Sequence, residues 1–323
     1  VSTTAQAFPA DLAIAASRPS TLAPLGAIYE TTKPRITRLV TITAGVGFLV
    51  GSATQQGLRL DMVLPGLGCL LGTALSAAGA NALNQWIERD RDAWMPRTAD
   101  RPLPSGRLDP QVALMAASAI ALTGIAVLLI TTGVVPAMVS LFTILLYVLL
   151  YTPLKVVTPL STPIGAIPGA LPPVIGWTAA AGADPASALV APGAWLLFAI
   201  MFFWQMPHFL AIAWMYRDDY ARGGYRVLPV LDPTGVRTSR QIFGWAVALV
   251  GVTLLPAWVL GAGTDWVYLG VALLSGAAFI RLAARTARTK ERKDARATFI
   301  ASVIHLPILL MTLVATTAVR SLM

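Results

Sequence analysis

Trp195-Leu-Leu-Phe-Ala-Ile-Met-Phe-Phe-Trp204 carries no charge and offers no polar face, and the same holds for Leu141-Phe-Thr-Ile-Leu-Leu-Tyr-Val-Leu-Leu-Tyr151. A helix at a water interface keeps one polar side, and a membrane-spanning strand alternates apolar with polar residues. These runs do neither, so they read as helices immersed in hydrocarbon. Crossing the apolar core of a bilayer takes roughly 20 such residues. The sequence holds about nine stretches of that kind, near residues 36–56, 61–84, 111–131, 135–151, 163–182, 192–214, 241–261, 266–283 and 298–319, each bounded to within about four residues. The expected fold class is an all-α polytopic membrane protein with about nine transmembrane helices.

Composition agrees. Of 323 residues, 56% are hydrophobic and 12% charged, with a mean hydropathy of +0.70. Soluble domains carry about 25% charged residues, and a disordered chain needs low hydrophobicity with high charge. A disulfide scaffold is excluded by the single cysteine, Cys69. The net charge of +9 has a topological reading. When the loops are assigned to alternate sides, 22 of the 24 Lys and Arg residues fall on the side of the N-terminal segment, leaving Arg59 and Arg320 opposite. This is the positive-inside signature. It predicts an integral protein of the bacterial cytoplasmic (inner) membrane, with the N-terminus and long loops cytoplasmic, the C-terminus on the other side, and no nucleic-acid partner. The basic run from Arg281 to Lys293 reads as an anchor to anionic lipid. Residues 1–30, rich in Ala, Ser, Thr and Pro, are expected to form a disordered cytoplasmic tail, and 31–323 a single transmembrane domain.

Two acidic motifs sit at the ends of spans on the shared side. In Asn81-Ala-Leu-Asn84-Gln-Trp-Ile-Glu88-Arg-Asp-Arg-Asp92, residues Asn84, Glu88 and Asp92 are four apart and share one helical stripe. Like charges at that spacing destabilise a helix, so something cationic is expected against them. Oxygen donors without Cys or His suit a hard cation such as Mg²⁺, which commonly pairs one or two carboxylates with substrate phosphates. The second motif, Arg217-Asp218-Asp219-Tyr220-Ala-Arg222, ends the sixth predicted span. Arg97, Arg101, Lys155 and Arg222 lie near the same rim. Metal-bridged acids with Arg and Lys opposite make a diphosphate site. Solvated loops whose acids merely balance nearby arginines remain the alternative from spacing alone.

Asn84-x-x-x-Glu88-x-x-x-Asp92, Arg97-Thr-x-x-Arg101-Pro-Leu-Pro-Ser-Gly106, Tyr151-Thr-Pro-Leu-Lys155, Pro172-Pro-Val-Ile-Gly-Trp177 and Asp219-Tyr220, in this order, resemble the UbiA superfamily of intramembrane prenyltransferases. Pro207-His208-Phe209 and Gly223-Gly224-Tyr225 are most similar to its protohaem IX farnesyltransferases, the haem O synthases. The resemblance runs from about Lys33 to the C-terminus. It implies nine helices around a central cavity open to lipid. The acidic motifs (Asn84, Glu88, Asp92, Asp218, Asp219) would bind Mg²⁺, and Arg97, Arg101, Lys155 and Arg222 the diphosphate of farnesyl diphosphate. The implied reaction transfers the farnesyl group to a vinyl of protohaem IX, haem being substrate rather than cofactor, with haem A synthase or oxidase assembly factors as implied partners. Many relatives space the second acidic pair four apart; here Arg222 stands four after Asp218, which leaves open whether Asp218 or Asp219 meets the metal.

Shielding of the allylic cation points to aromatic rings on the spans beside the loops: Tyr147, Tyr151, Phe203 and Trp204. The two histidines, His208 and His305, are candidates for haem contact, since ionisable residues within a span tend to be functional. Helix packing or interfacial anchoring is the plainer reading for each of the four rings, and a neutral imidazole hydrogen-bonded between helices is the alternative for each histidine. Two other functions stay open: prenylation of a quinone precursor or chlorophyllide, and a transporter or haem carrier. The segment Pro163 to Pro173 predicts a broken or kinked fifth span, tolerable where its backbone lines protein or a cavity.

Overall fold

The computed structural model describes residues 23–182, 184–260 and 266–323, which contain helices and no strand. A short helix α1 (Ala23–Thr31) precedes α2 (Pro34–Gln55), α3 (Val63–Asp92), α4 (Pro110–Thr132) and α5 (Val134–Leu145). Then follow α6 (Ser161–Ala170), α7 (Pro172–Ala179), α8 (Pro192–Met215), α9 (Val236–Leu254), α10 (Trp266–Thr289) and α11 (Arg292–Ser321). Eight helical runs among the described residues are long and apolar enough to cross a membrane. The remaining predicted crossing is divided into α6 and α7. Its division follows from Pro172 and Pro173, which supply no N–H to the preceding turn. Gln205 of α8 donates to the carbonyl of Ala166 at 3.3 Å, so part of this backbone is satisfied by a neighbouring helix. The expected tail 1–30 is corrected in part: from Ala23 it is helical, and residues 1–22 lie outside the described residues.

Lipid tails give no hydrophobic reward for helix contact, so association relies on close packing of small residues. Gly68, Gly72 and Gly79 of α3 meet Thr131, Leu128 and Ala121 of α4, and Gly124 of α4 answers Ser76 of α3. Gly47 of α2 lies against Pro173, and Gly176 of α7 against the Ala44 carbonyl and Phe48 N–H. These contacts hold α2, α3, α4 and α7 in fixed positions. At 30 residues and about 1.5 Å per residue, α3 is roughly 45 Å long, against a hydrocarbon core of about 30 Å. Its last turns, which carry the first acidic motif, therefore project beyond that core.

Past Leu145, α5 continues as a wider π turn, Leu146–Tyr151. Pro153 lacks the N–H that an α-helix would direct at the carbonyl of Leu149. The carbonyl of Tyr147 accepts from the Thr152 backbone N–H, five residues on, and from the Thr152 hydroxyl at 2.8 Å. Such bulges re-aim side chains, often at functional sites, and here Tyr147 and Tyr151 both face a cavity.

A methyl added at Gly176 meets backbone atoms of Ala44 and Phe48, whereas Gly251 of α9 faces open space. Gly176→Ala is expected to cost about 1–3 kcal/mol and lower the thermal midpoint in detergent. Gly251→Ala should match or exceed the unsubstituted protein. Equal midpoints for both variants would refute the close α2–α7 contact.

Candidate active site

The stripe Asn84, Glu88 and Asp92 is buried, at 0%, 6% and 1% exposure. Each member meets one cation from a different segment. Lys33, immediately before α2, donates to Asn84 Oδ1 at 2.6 Å. Lys155, just past the extension of α5, donates to Glu88 Oε1 at 2.7 Å. Arg101, in the loop after α3, donates to Asp92 Oδ2 at 2.6 Å. These are charge-assisted bonds, and they supply the cations that the repulsive i, i+4 spacing anticipates. The Asn84 amide is oriented from its other side, where Nδ2 donates to Thr152 Oγ1 at 3.0 Å.

Backbone geometry aims these groups. Lys33 has φ 48° and ψ 66°, a left-handed conformation that costs a residue with a Cβ roughly 1–2 kcal/mol. The strain turns its side chain towards α3. The loop from 93 to 109 folds back because the Thr98 hydroxyl donates to the carbonyl of Asp92 at 2.8 Å. Lys155 Nζ also lies 4.5 Å from the centroid of the Tyr151 ring.

Electrostatics divides the lysines. Burial, together with the nearby Arg101 and Lys155 charges, lowers Lys33 to about 7. Burial acts against charge on Lys155 too, but the adjoining Glu88 carboxylate overrides it and holds the ammonium well above its ordinary range. Two carboxylates thus stand among three basic groups, with Lys155 and Arg101 paired to them and Lys33 the group most easily discharged. The donor set contains only oxygen, and Lys155 and Arg101 each engage a single carboxylate oxygen, Glu88 Oε1 and Asp92 Oδ2. That chemistry fits a hard divalent ion shared with substrate phosphates.

The second acidic motif is placed differently. Asp218 is 87% exposed at its side chain and lies 3.6 Å from Arg217. Among the described residues, no hydrogen bond or ion pair joins Asp218 or Asp219 to the first stripe, and no group of three or more acidic, His or Cys residues forms a closed metal site. Arg97 and Arg222 are exposed. Arg97 lies over the rings of Tyr216 and Tyr220, at 5.5 and 5.9 Å, so the two loops still touch. The backbone N–H of Arg226 donates to the carbonyl of Lys155 at 2.8 Å, and the Arg91 guanidinium to that of Gly223 at 3.3 Å. Lys33 was not among the residues singled out from sequence; its one local signal is its position before Pro34 at the start of a span.

Beneath the cluster lies a cavity of about 420 Å³. Asn81 and Tyr151 line it close to the acidic stripe, and Tyr147, Trp204 and His208 line it further on. Phe203, expected to shield a cation, instead packs on Trp245 of α9 with ring centroids 5.6 Å apart and does not line the cavity. His305 is likewise absent from the cavity wall; it is buried and stacked on Phe279 of α10 at 5.6 Å and 6°.

A polytopic helical bundle with a charged, oxygen-lined cluster above an aromatic cavity defines an intramembrane enzyme site for an amphiphile with an anionic head. The UbiA prenyltransferase family matches residues 39–321, and the chain belongs to that family. It is 44% identical to the protoheme IX farnesyltransferase of Solibacter usitatus (strain Ellin6076) over 284 residues, covering 87% of this chain and 94% of that protein. To the protoheme IX farnesyltransferase of Opitutus terrae (strain DSM 11246 / JCM 15787 / PB90-1) it is 37% identical, covering 92% and 96%. Among solved structures, a digeranylgeranylglyceryl phosphate synthase superposes with TM-score 0.70 at 17% identity, covering 91% of this chain and 99% of that one. A UbiA homolog from Archaeoglobus fulgidus bound to GPP and Mg²⁺ gives 0.57 at 14% identity, covering 90% and 99%. These two similarities concern the fold.

The lowered Lys33 carries a pH signature. Between about 7 and the ordinary lysine value of 10.5, unfolding takes up a proton, so stability rises with pH across that window. The thermal midpoint of the ligand-free protein should climb between pH 7 and 10 by more than that of Lys33→Met. Parallel midpoint curves for the two proteins would refute the assignment.

Proposed function

We propose that this protein transfers the farnesyl group of farnesyl diphosphate to a vinyl group of protohaem IX, giving haem O and diphosphate. The relatives named above support the acceptor. The observation that carries the chemistry is the cluster in which Lys33, Lys155 and Arg101 face Asn84, Glu88 and Asp92 at 2.6 to 2.7 Å, directly above an apolar cavity.

In the reaction the bond between farnesyl C1 and the diphosphate oxygen breaks, and its electron pair leaves with the diphosphate. The vinyl π electrons form the new carbon–carbon bond, and water adds to the carbon next to the porphyrin ring, losing a proton. Lys155, Arg101 and Lys33 stabilise the charge that develops on the leaving group, as preorganised electrostatic catalysis requires. Glu88 and Asp92, with the Asn84 carbonyl, would hold a divalent ion such as Mg²⁺. When bound, that ion supplies further neutralisation of the diphosphate. Tyr147, Tyr151 and Trp204 present aromatic faces and little water to the allylic cation, at about 0.5–2 kcal/mol per cation–π contact. Arg97 and Arg222 form the outer rim, where they meet the diphosphate before it settles, and Asp218 or Asp219 would attract a divalent ion there. The excess of Lys and Arg in the loops on this side supports a cytoplasmic orientation for the rim.

Purified protein in lipid nanodiscs, given farnesyl diphosphate, Mg²⁺ and protohaem, should yield haem O by mass spectrometry. Prenylation of a quinone precursor with no haem product would overturn the proposal. Asp92→Ala should retain the fold and lose turnover by about 10²-fold or more, the scale seen when one preorganised electrostatic group is removed. Full activity in that variant would exclude the stripe as the diphosphate and metal site.

A further inference from the structure

Both histidines are held by the same device. His208 Nδ1 lies 2.7 Å from Ser302 Oγ, and the Ser302 hydroxyl lies 2.6 Å from the carbonyl oxygen of Phe299, to which it donates. Two oxygens that close require the proton between them, so Ser302 has none left for the imidazole. The hydroxyl therefore accepts from His208, whose proton sits on Nδ1. Nε2 keeps its lone pair, and His208 lines the cavity. Trp204 stacks on the ring at 4.7 Å and 27°, Phe299 flanks it at 4.9 Å, and the Trp204 indole N–H donates to the carbonyl of Ser302 at 2.7 Å. The ring is fixed in tautomer and in orientation.

His305 repeats the pattern in another setting. Its Nδ1 lies 3.0 Å from Ser275 Oγ, whose proton goes to the carbonyl of Val271 at 2.6 Å. Its Nε2 is enclosed and has no hydrogen-bond partner among the described residues, away from the cavity wall.

We propose that Ser302 is a positioning residue that locks His208 as the Nδ1–H tautomer, so that His208 Nε2 ligates the iron of the porphyrin acceptor. A metal-binding histidine characteristically donates its other ring N–H to a nearby acceptor, which fixes the tautomer and raises ligand basicity. The arrangement here supplies that acceptor from a second helix and surrounds the imidazole with rings suited to a flat macrocycle. Ligation would hold the acceptor in one place within the cavity while farnesyl diphosphate enters from the charged end. The proposal rests on haem being the acceptor and adds the atom that holds it.

The test is a titration of purified protein with protohaem, followed by optical and electron paramagnetic resonance spectra, with metal-free protoporphyrin IX as the control. The unsubstituted protein should show an imidazole-ligated haem and bind protoporphyrin at least 10-fold more weakly. His208→Gly should lose that signature and regain it with added imidazole, a rescue that also demonstrates an intact fold. His305→Ala should keep it. Ser302→Ala should weaken haem binding on the order of 10-fold, the scale of a lost partner to a metal-bound histidine, and Ser302→Thr should restore it. A wild-type spectrum in His208→Gly, or wild-type spectrum and affinity in Ser302→Ala, overturns the proposal while haem O formation leaves the function standing. Protein that binds no protohaem and prenylates another acceptor overturns both.

Discussion

Glu88 and Asp92 lie buried at the end of one helix, and neither carboxylate is tolerable there alone. A charge taken out of water costs several kcal/mol unless it is paired and hydrogen-bonded, and removing one partner of such a pair strands the other. The consequence is architectural. Lys155, Lys33 and Arg101 come from the end of α5, the residue before α2 and the loop after α3, and the acidic stripe with Asn84 draws all three to one point. The close glycine contacts between α2, α3, α4 and α7 set the helices at the spacing that lets those side chains reach.

The cavity below depends on backbone irregularity. An unbroken α5 would aim Tyr147 and Tyr151 elsewhere; the π turn ahead of Pro153 presents them to the empty space. An unbroken fifth crossing would likewise leave less room between α6, α7 and α8. In lipid such departures persist only where the irregular backbone is enclosed by protein or lines a cavity, and here the side chains of Thr152 and Gln205 add hydrogen bonds to carbonyls of the two irregular segments. Proline thus shapes the cavity and polar side chains make that shape stable.

Much of this was legible in the sequence, for reasons that differ by residue. Runs without charge announce their environment directly, so the spans were readable. The i, i+4 spacing of Asn84, Glu88 and Asp92 fixes a common face whatever surrounds it. Lys33 was not legible, because a lysine at the start of a span is ordinarily an anchor at the lipid interface, and nothing local reveals that its backbone turns left-handed. Phe203 and Trp204 stand about 100° apart on a helix that is apolar all round, so no periodicity distinguishes the cavity face from the one packed on Trp245. The same ambiguity hid the difference between His208 and His305. The helix at Ala23–Thr31 was obscured by a composition typical of tails.

The ion-paired cluster has a thermodynamic corollary. An anion arriving alone draws Lys155 and Arg101 from their carboxylates and leaves Glu88 and Asp92 uncompensated; a cation arriving alone strands the ammonium and guanidinium. Joint arrival exchanges every partner without isolating a charge. Anion and cation must then enhance each other's affinity by the same factor, since such coupling is reciprocal. Under the proposed assignment, the stripe that neutralises itself at rest would favour the pair over either ion by itself.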